Sequence, residues 1–301
     1  MLKRVGLFLL TNFLVITTIS IAYNLFVAFT GINQYGGYYV PLLVFCTFWG
    51  FGGAFISLFM SKFIAKHAYN VQIIDPQGPQ AIDTNARELV FRVHSLARKA
   101  GLQEMPEVGV YDSPEINAFA TGPTKNNSLV AVSTGLLQTM SREEVEGVIG
   151  HEIAHVANGD MVTMTLVQGI VNASVLFFSR VVAKILSSNV DEKYQGLVQM
   201  LLTIVFDILF TILGSIVVSY YSRSREFRAD YGGASYAGRS KMIAGLRKLK
   251  SQYELIAPEG ANDNMATMKI SSRQTGLMAL FSTHPSLDDR IAALERAQIA
   301  G

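Results

Sequence analysis

The chain has 301 residues, of which half are hydrophobic and only 16% are charged, and its formal net charge is +2. That balance places part of the chain in a membrane, and the charge excess is too small to suggest a nucleic-acid partner. The one cysteine, Cys46, excludes an intrachain disulfide and suits a reducing compartment.

No Asp, Glu, Lys or Arg lies between Arg4 and Lys62. A charge-poor stretch of that length holds two spans of about 20 residues each. The pattern places them near 6–29 and 39–60, joined by a turn from Gly31 to Gly37. Lys3 and Arg4 give the first segment a positive start. It nonetheless reads as an uncleaved span, because the apolar run is long and lacks a clean small-x-small cleavage site.

Residues 62–160 are polar enough to be wet. Within them, Ser128 to Ser133 alternates with β-branched character and predicts a strand. Asn117-Ala118-Phe119-Ala120 precedes it across a turn spanning Gly122 to Asn127. An exposed edge at Val130, Ala131 and Val132 is expected to hold an extended substrate by its backbone. Ser141-Arg142-Glu143-Glu144 then reads as a capping box opening a helix, and Val145, Val148, Ile149 and Ile153 recur at helical spacing.

That helix carries His151-Glu152-Ile153-Ala154-His155. Histidines four apart share one helix face, so both imidazoles reach one Zn²⁺, and Glu152 sits where it takes a proton from the attacking water. Gly147 and Gly150 leave space near His151, either for an approaching strand or substrate or for a packed helix crossing. His67 and His94 read as surface residues.

Two more apolar segments follow, near 163–186 and 197–221, separated by Asn189, Asp191, Glu192 and Lys193. Their length favours spans, although Arg180, Lys184 and Asp207 also suit two buried core helices. In an antiparallel hairpin Asp207 is expected to meet Arg180 or Lys184. Lys3, Arg4, Lys62, Lys66, Arg223, Arg225 and Arg228 flank the spans on one side, which the positive-inside rule makes cytoplasmic. The expected organisation is a hairpin over 1–61, a catalytic domain split into 62–160 and 222–301, and a second hairpin over 161–221 between its halves. Residues 257–276 read as a mobile loop.

A catalytic zinc site needs a third protein ligand and one open position. A third histidine six residues beyond the pair is excluded, since Asn158 and Met161 occupy the places of the required Gly and His. Glu226 is the best candidate, with His284 as competitor. Asp230, four residues on, shares its face and is placed to accept a hydrogen bond from a ligand histidine. His284 is also the candidate second cationic group beside the reacting carbonyl. Arg290 is its runner-up and a candidate substrate contact. Thr283-His284-Pro285 alternatively reads as the start of a helix with Pro285 in its first turn.

The chain resembles the HtpX family of bacterial membrane metalloproteases, related to the type-1 CAAX prenyl proteases. The resemblance rests on the stretch from Arg4 to Asn12, on Asn117-Ala118-Phe119-Ala120-Thr121-Gly122, and on the run from Val130 to Leu137. It continues through His151 to His155, Asn158-Gly159-Asp160-Met161, Glu226-Phe227-Arg228-Ala229-Asp230 and Thr283-His284-Pro285. It implies a mostly α membrane protein with four transmembrane helices and a split α+β, zincin-like (gluzincin) catalytic domain with a small sheet. It further implies one Zn²⁺ on His151, His155 and Glu226, with Glu152 as catalytic carboxylate, a functional role for His284, and Asn117 touching the substrate main chain. The implied setting is the bacterial inner membrane, with cytoplasmic cleavage of membrane-protein or unfolded polypeptide substrates in quality control and stress. Lipid is an expected partner and nucleic acid is not. Two alternatives are weighed. An intramembrane-cleaving protease conflicts with Arg142, Glu143, Glu144, Glu146 and Asp160 around the histidines. A scaffold with a structural metal conflicts with an intact Glu152 and an open coordination position.

Overall fold

The structure, a computed structural model, describes residues 2–32, 37–75, 84–256 and 280–297. Turn residues 33–36 and the loop expected over 257–276 lie outside the described residues. The chain divides into two compact units, one of residues 1–58 with 164–218 and the other of residues 59–163 with 219–301.

The first unit is helical and lies within α1 (Leu2–Thr30), α2 (Tyr39–Ala68), α6 (Asp160–Ser187) and α7 (Glu192–Ala237). All four helices are long and apolar enough to cross a membrane. Among their described side chains, Phe29, Ile208 and Val217 are well exposed, as lipid-facing positions require, while Ile19, Cys46 and Ala183 are buried. Small residues set the crossings: a Cβ on Gly50 would lie 2.4 Å from the Ala173 backbone nitrogen, and one on Gly169 would strike Phe51. Asp207 accepts from Ser179 Oγ and lies 3.7 Å from Arg180 Nη1. Arg180, not Lys184, is therefore its partner, and Lys184 sits 4.2 Å above the Tyr38 ring.

The second unit is α+β. Its sheet runs in the order β1-β2-β4-β3, from β1 (Gln72–Ile73), β2 (Glu107–Tyr111), β3 (Ala118–Thr124) and β4 (Asn127–Ser133). β2 and β4 are parallel, and the other two pairings are antiparallel. Val108, Val130 and Val132 point to one face and share a core with Val93 and Leu96 of α3 (Thr84–Lys99) and Ile149, Ile153 and Val156 of α5 (Arg142–Asn158). α4 (Thr134–Thr139) continues directly from β4, and Ser133 caps it by accepting from Leu136 N.

β4 is paired on both sides, and Val130, Ala131 and Val132 are fully buried. The expected substrate edge on these three residues is thus corrected: a strand with both ladders filled has no free backbone groups to offer a peptide. The open edge belongs to β3. That strand also runs further than expected, through Gly122 to Thr124, with a register irregularity between Thr121 and Thr124. Gly122 is required there, because its φ is +148° and a Cβ would lie 2.2 Å from the Asn127 carbonyl oxygen.

The capping box forms as read: Ser141 N donates to Glu144 Oε2 at 2.7 Å and Glu144 N to Ser141 Oγ at 3.3 Å. The two glycines of α5 serve helix packing rather than an approaching strand. A Cβ on Gly147 would lie 2.3 Å from the Lys241 carbonyl oxygen of α8 (Arg239–Ile256), and one on Gly150 would press on Ala237 and Gly233 of α7. α9 (Leu287–Arg296) closes this side through Leu287, Ile291 and Leu294 against Ala234, Met242 and Leu246. Its N-cap is Ser286, so Pro285 stands just before the cap instead of in the first turn.

Candidate metal centre

α5 and the last turns of α7 meet where their small residues allow, and this brings three ligand atoms together. His151 Nε2 lies 3.1 Å from His155 Nε2. Glu226 Oε2 is 3.5 Å from the first nitrogen and Oε1 is 3.4 Å from the second. A tetrahedral ion with bonds of about 2.0–2.1 Å separates its ligands by about 3.3 Å. Among the described residues, His151, His155 and Glu226 form the one group of this kind.

The outer ring nitrogens explain why the inner ones converge. His151 Nδ1 lies 2.9 Å from Asp230 Oδ1, and His155 Nδ1 lies 2.7 Å from Asp160 Oδ2. A carboxylate there keeps the proton on Nδ1 and turns the Nε2 lone pair inward. Two lone pairs and a carboxylate then face each other within van der Waals distance, which only a cation between them relieves. The donor set therefore fits a divalent metal ion.

Charge around the pair follows the same demand. Burial and the neighbouring Arg290 disfavour a protonated His151, yet Asp230 and Glu226 outweigh them and hold its pKa up at about 9. Burial pushes Glu226 the other way, but the two ligand imidazoles and His284 keep its carboxyl far below the usual range. The field at the centre thus favours positive charge, and a bound metal would take the place of the His151 proton.

Arg290 is 6% exposed and sits behind the ligands. Its Nε and Nη2 fork onto Asp230 at 2.7 and 2.6 Å, and Nη1 is 3.5 Å from Glu226. The expected substrate contact by Arg290 finds no support in this placement, because the guanidinium is spent on the carboxylates. Burial opposes its charge, but Asp230 raises its pKa further above the ordinary value. His284 Nδ1 lies 3.1 Å from Glu226 Oε2, with its side chain partly open to solvent. His94 bonds the Pro106 carbonyl and His67 the Phe63 carbonyl, both away from this centre.

Glu152 connects the centre to the sheet. Its Oε2 accepts from Ala120 N at 2.8 Å. Ser133 N donates to the Asn117 carbonyl, so in an antiparallel ladder residues 119 and 121 also pair inward with β4. Ala118 and Ala120 then present their N–H and C=O groups outward, and the donor to Glu152 is one of them. Asn117, exposed at the start of β3, lies next to this row.

Asp160 is the functional residue that sequence reading missed as a histidine partner. Gly159 ends α5 in the left-handed conformation, with φ +69°, and Asp160 opens α6 directly behind it. Asn158-Gly159-Asp160, five residues past the second histidine at its far end, was the available signal: a glycine stop that folds the next acid back onto the helix it has just left.

Residues 83–298 match Peptidase family M48. The chain belongs to that family. It is 52% identical to the Protease HtpX homolog of Bacillus licheniformis, covering 97% of this chain and 99% of the relative. It is 47% identical to Protease HtpX of Aeromonas hydrophila over 97% of this chain and 99% of that one. Among solved structures, the crystal structure of S. mikatae Ste24p shares the fold at a TM-score of 0.60 and 17% identity, covering 95% of this chain and 65% of that one. The chain is thus an integral-membrane metalloprotease of family M48, with four candidate membrane helices and a small mixed sheet.

Proposed function

We propose that the chain is a zinc-dependent endopeptidase of the bacterial inner membrane, related in activity to Protease HtpX. It cleaves misfolded or damaged membrane proteins on the cytoplasmic side, in quality control and stress response. The observation that carries the reading is the convergence of two inward lone pairs and Glu226, with Glu152 on the same helix bonded to an open strand edge. Residues 62–160 and 222–301 act as one catalytic domain, with the hairpin 161–221 inserted between them. Lys62, Lys66, Arg223, Arg225 and Arg228 support a cytoplasmic position for both halves.

His151, His155 and Glu226 hold the ion, and Asp230 and Asp160 hold the histidines. Zinc, when bound, polarises the scissile carbonyl and brings the acidity of the attacking water towards neutral pH. The substrate lies along β3, its backbone paired with the outward N–H and C=O of Ala118 and the C=O of Ala120 and steadied by Asn117, while the Ala120 N–H stays on Glu152. Glu152 takes the proton of the attacking water and delivers it to the leaving amine. Its bond to Ala120 N orients one oxygen and leaves the other to the water. His284 stands beside Glu226 as a donor for the oxygen of the tetrahedral intermediate.

Glu152→Gln tests the reading. The variant is expected to keep a full equivalent of zinc by elemental analysis and to lose cleavage of a membrane-anchored reporter. Unchanged cleavage by that variant defeats the enzymatic assignment.

A further inference from the structure

The metal centre uses one face of the sheet, and the opposite face carries a group of aromatic rings with no part in it. Tyr111 at the end of β2, Phe119 in β3 and Tyr69 just after α2 pack with centroids 5.6, 5.3 and 5.4 Å apart. Tyr111 is buried, Phe119 is half-buried and Tyr69 is 52% exposed, so the rings run from the interior out to the free edge. The interior part of this face is already closed, since a Cβ on Gly109 would lie 2.3 Å from Val71 Cγ1. The open part of the apolar wall is therefore the part that flanks β3.

A peptide added to β3 alternates its side chains between the two faces. The residue opposite Ala120 directs its side chain to the α5 face, where Glu152 holds the Ala120 N–H. The residue opposite Phe119 directs its side chain to the other face, against Phe119 and Tyr69. The residue opposite Thr121 points the same way but meets a hydroxyl-bearing neighbour beyond the ring. We infer that Phe119 and Tyr69 form an apolar subsite that selects a large aliphatic or aromatic side chain at one position flanking the cleaved bond. The substrate class is then an extended apolar segment, not any unfolded chain. This inference rests on the proposed peptidase activity at β3.

The test uses the full chain in detergent, loaded with zinc, and internally quenched peptides of one scaffold. Each position is varied among Leu, Phe, Ser, Asp and Lys, and the cleaved bond is mapped by mass spectrometry. One position is expected to favour Leu and Phe over Ser and Asp by about fivefold to tenfold in kcat/KM, the yield of partly burying one such side chain. Phe119→Ser and Tyr69→Ser should each cut that ratio at least by half. Phe119→Arg should turn the preference at the same position towards Asp, a gain that damaged folding does not imitate. Equal tolerance at every position, or a preference that survives all three substitutions, overturns the subsite while leaving the peptidase intact. Failure of the loaded chain to cleave any peptide overturns the peptidase reading and the subsite with it.

Discussion

Replacing Asp160 tests whether the metal centre is built from its outer partners inward. Asp160 is 1% exposed, and its Oδ2 lies 2.7 Å from His155 Nδ1. Its other oxygen is 3.7 Å from Arg228, a side chain largely in solvent that offsets little of the charge. A short, buried, charge-assisted bond of this kind contributes about 1.5–3 kcal/mol. Loss of such a partner typically weakens metal binding by about 10–100-fold. Asp160→Ala removes the acceptor and frees the ring to turn, so the upper part of that range is expected. Asp160→Asn keeps an acceptor oxygen but not the charge, and about tenfold is expected. Zinc affinity is read by competition with a chromophoric chelator at fixed pH, and the visible spectrum of the Co²⁺-loaded protein reports ligand geometry. Asp160 also stands in the first turn of α6, so far-ultraviolet dichroism is the control for helix loss. Should Asp160→Ala bind zinc within twofold of the parent with an unchanged cobalt spectrum, the outer carboxylate is not what fixes His155.

Three further outcomes follow from the same geometry. Arg290→Met leaves Asp230 buried without its cation and should lower stability by about 3–5 kcal/mol, with Arg290→Lys falling between, as read from thermal unfolding in detergent. Gly147→Ala drives a methyl into the α8 backbone and should cost about 1–3 kcal/mol in the same assay, whereas Gly101→Ala meets open space and loses only through its φ of +76°. Ala120→Pro deletes the N–H that Glu152 accepts and caps the edge; peptide cleavage should fall by at least about tenfold while zinc content stays full, and equal cleavage would separate β3 from the substrate.

The legible parts of the chain were those whose cause is local. The histidine helix announced itself because the capping box, the apolar spacing and the histidine pair all fall within the seventeen residues of α5 and its cap. Glu226 and Asp230 were readable for the same reason, since a four-residue interval fixes their shared face before any packing is known. The four apolar segments follow from a length that lipid imposes. Strand order was not readable. Ser128 to Ser133 has the stronger alternation of the two segments, yet it lies inside the sheet, while Ala118–Thr124 takes the edge. Only the pairing of β4 with β2, across a separation in sequence that no local pattern encodes, decides between them.

Arg290 was misread for a related reason. An arginine near a catalytic histidine suggests an anion or a carbonyl to bind, but the chain supplies more acid at this centre than the ion alone offsets. Glu226, Asp230 and Asp160 are all buried, and Glu152 stands close by. One divalent ion balances two of these charges, Arg228 lies 3.7 Å from Asp160, and Arg225 lies 3.3 Å from Glu226. Asp230 is the acid that neither of those arginines meets, and α9 supplies its cation by forking Arg290 onto it behind His151. The last described helix of the chain therefore belongs to the metal centre as firmly as the histidine helix does. Removing α9 should cost metal affinity even though it contributes no ligand.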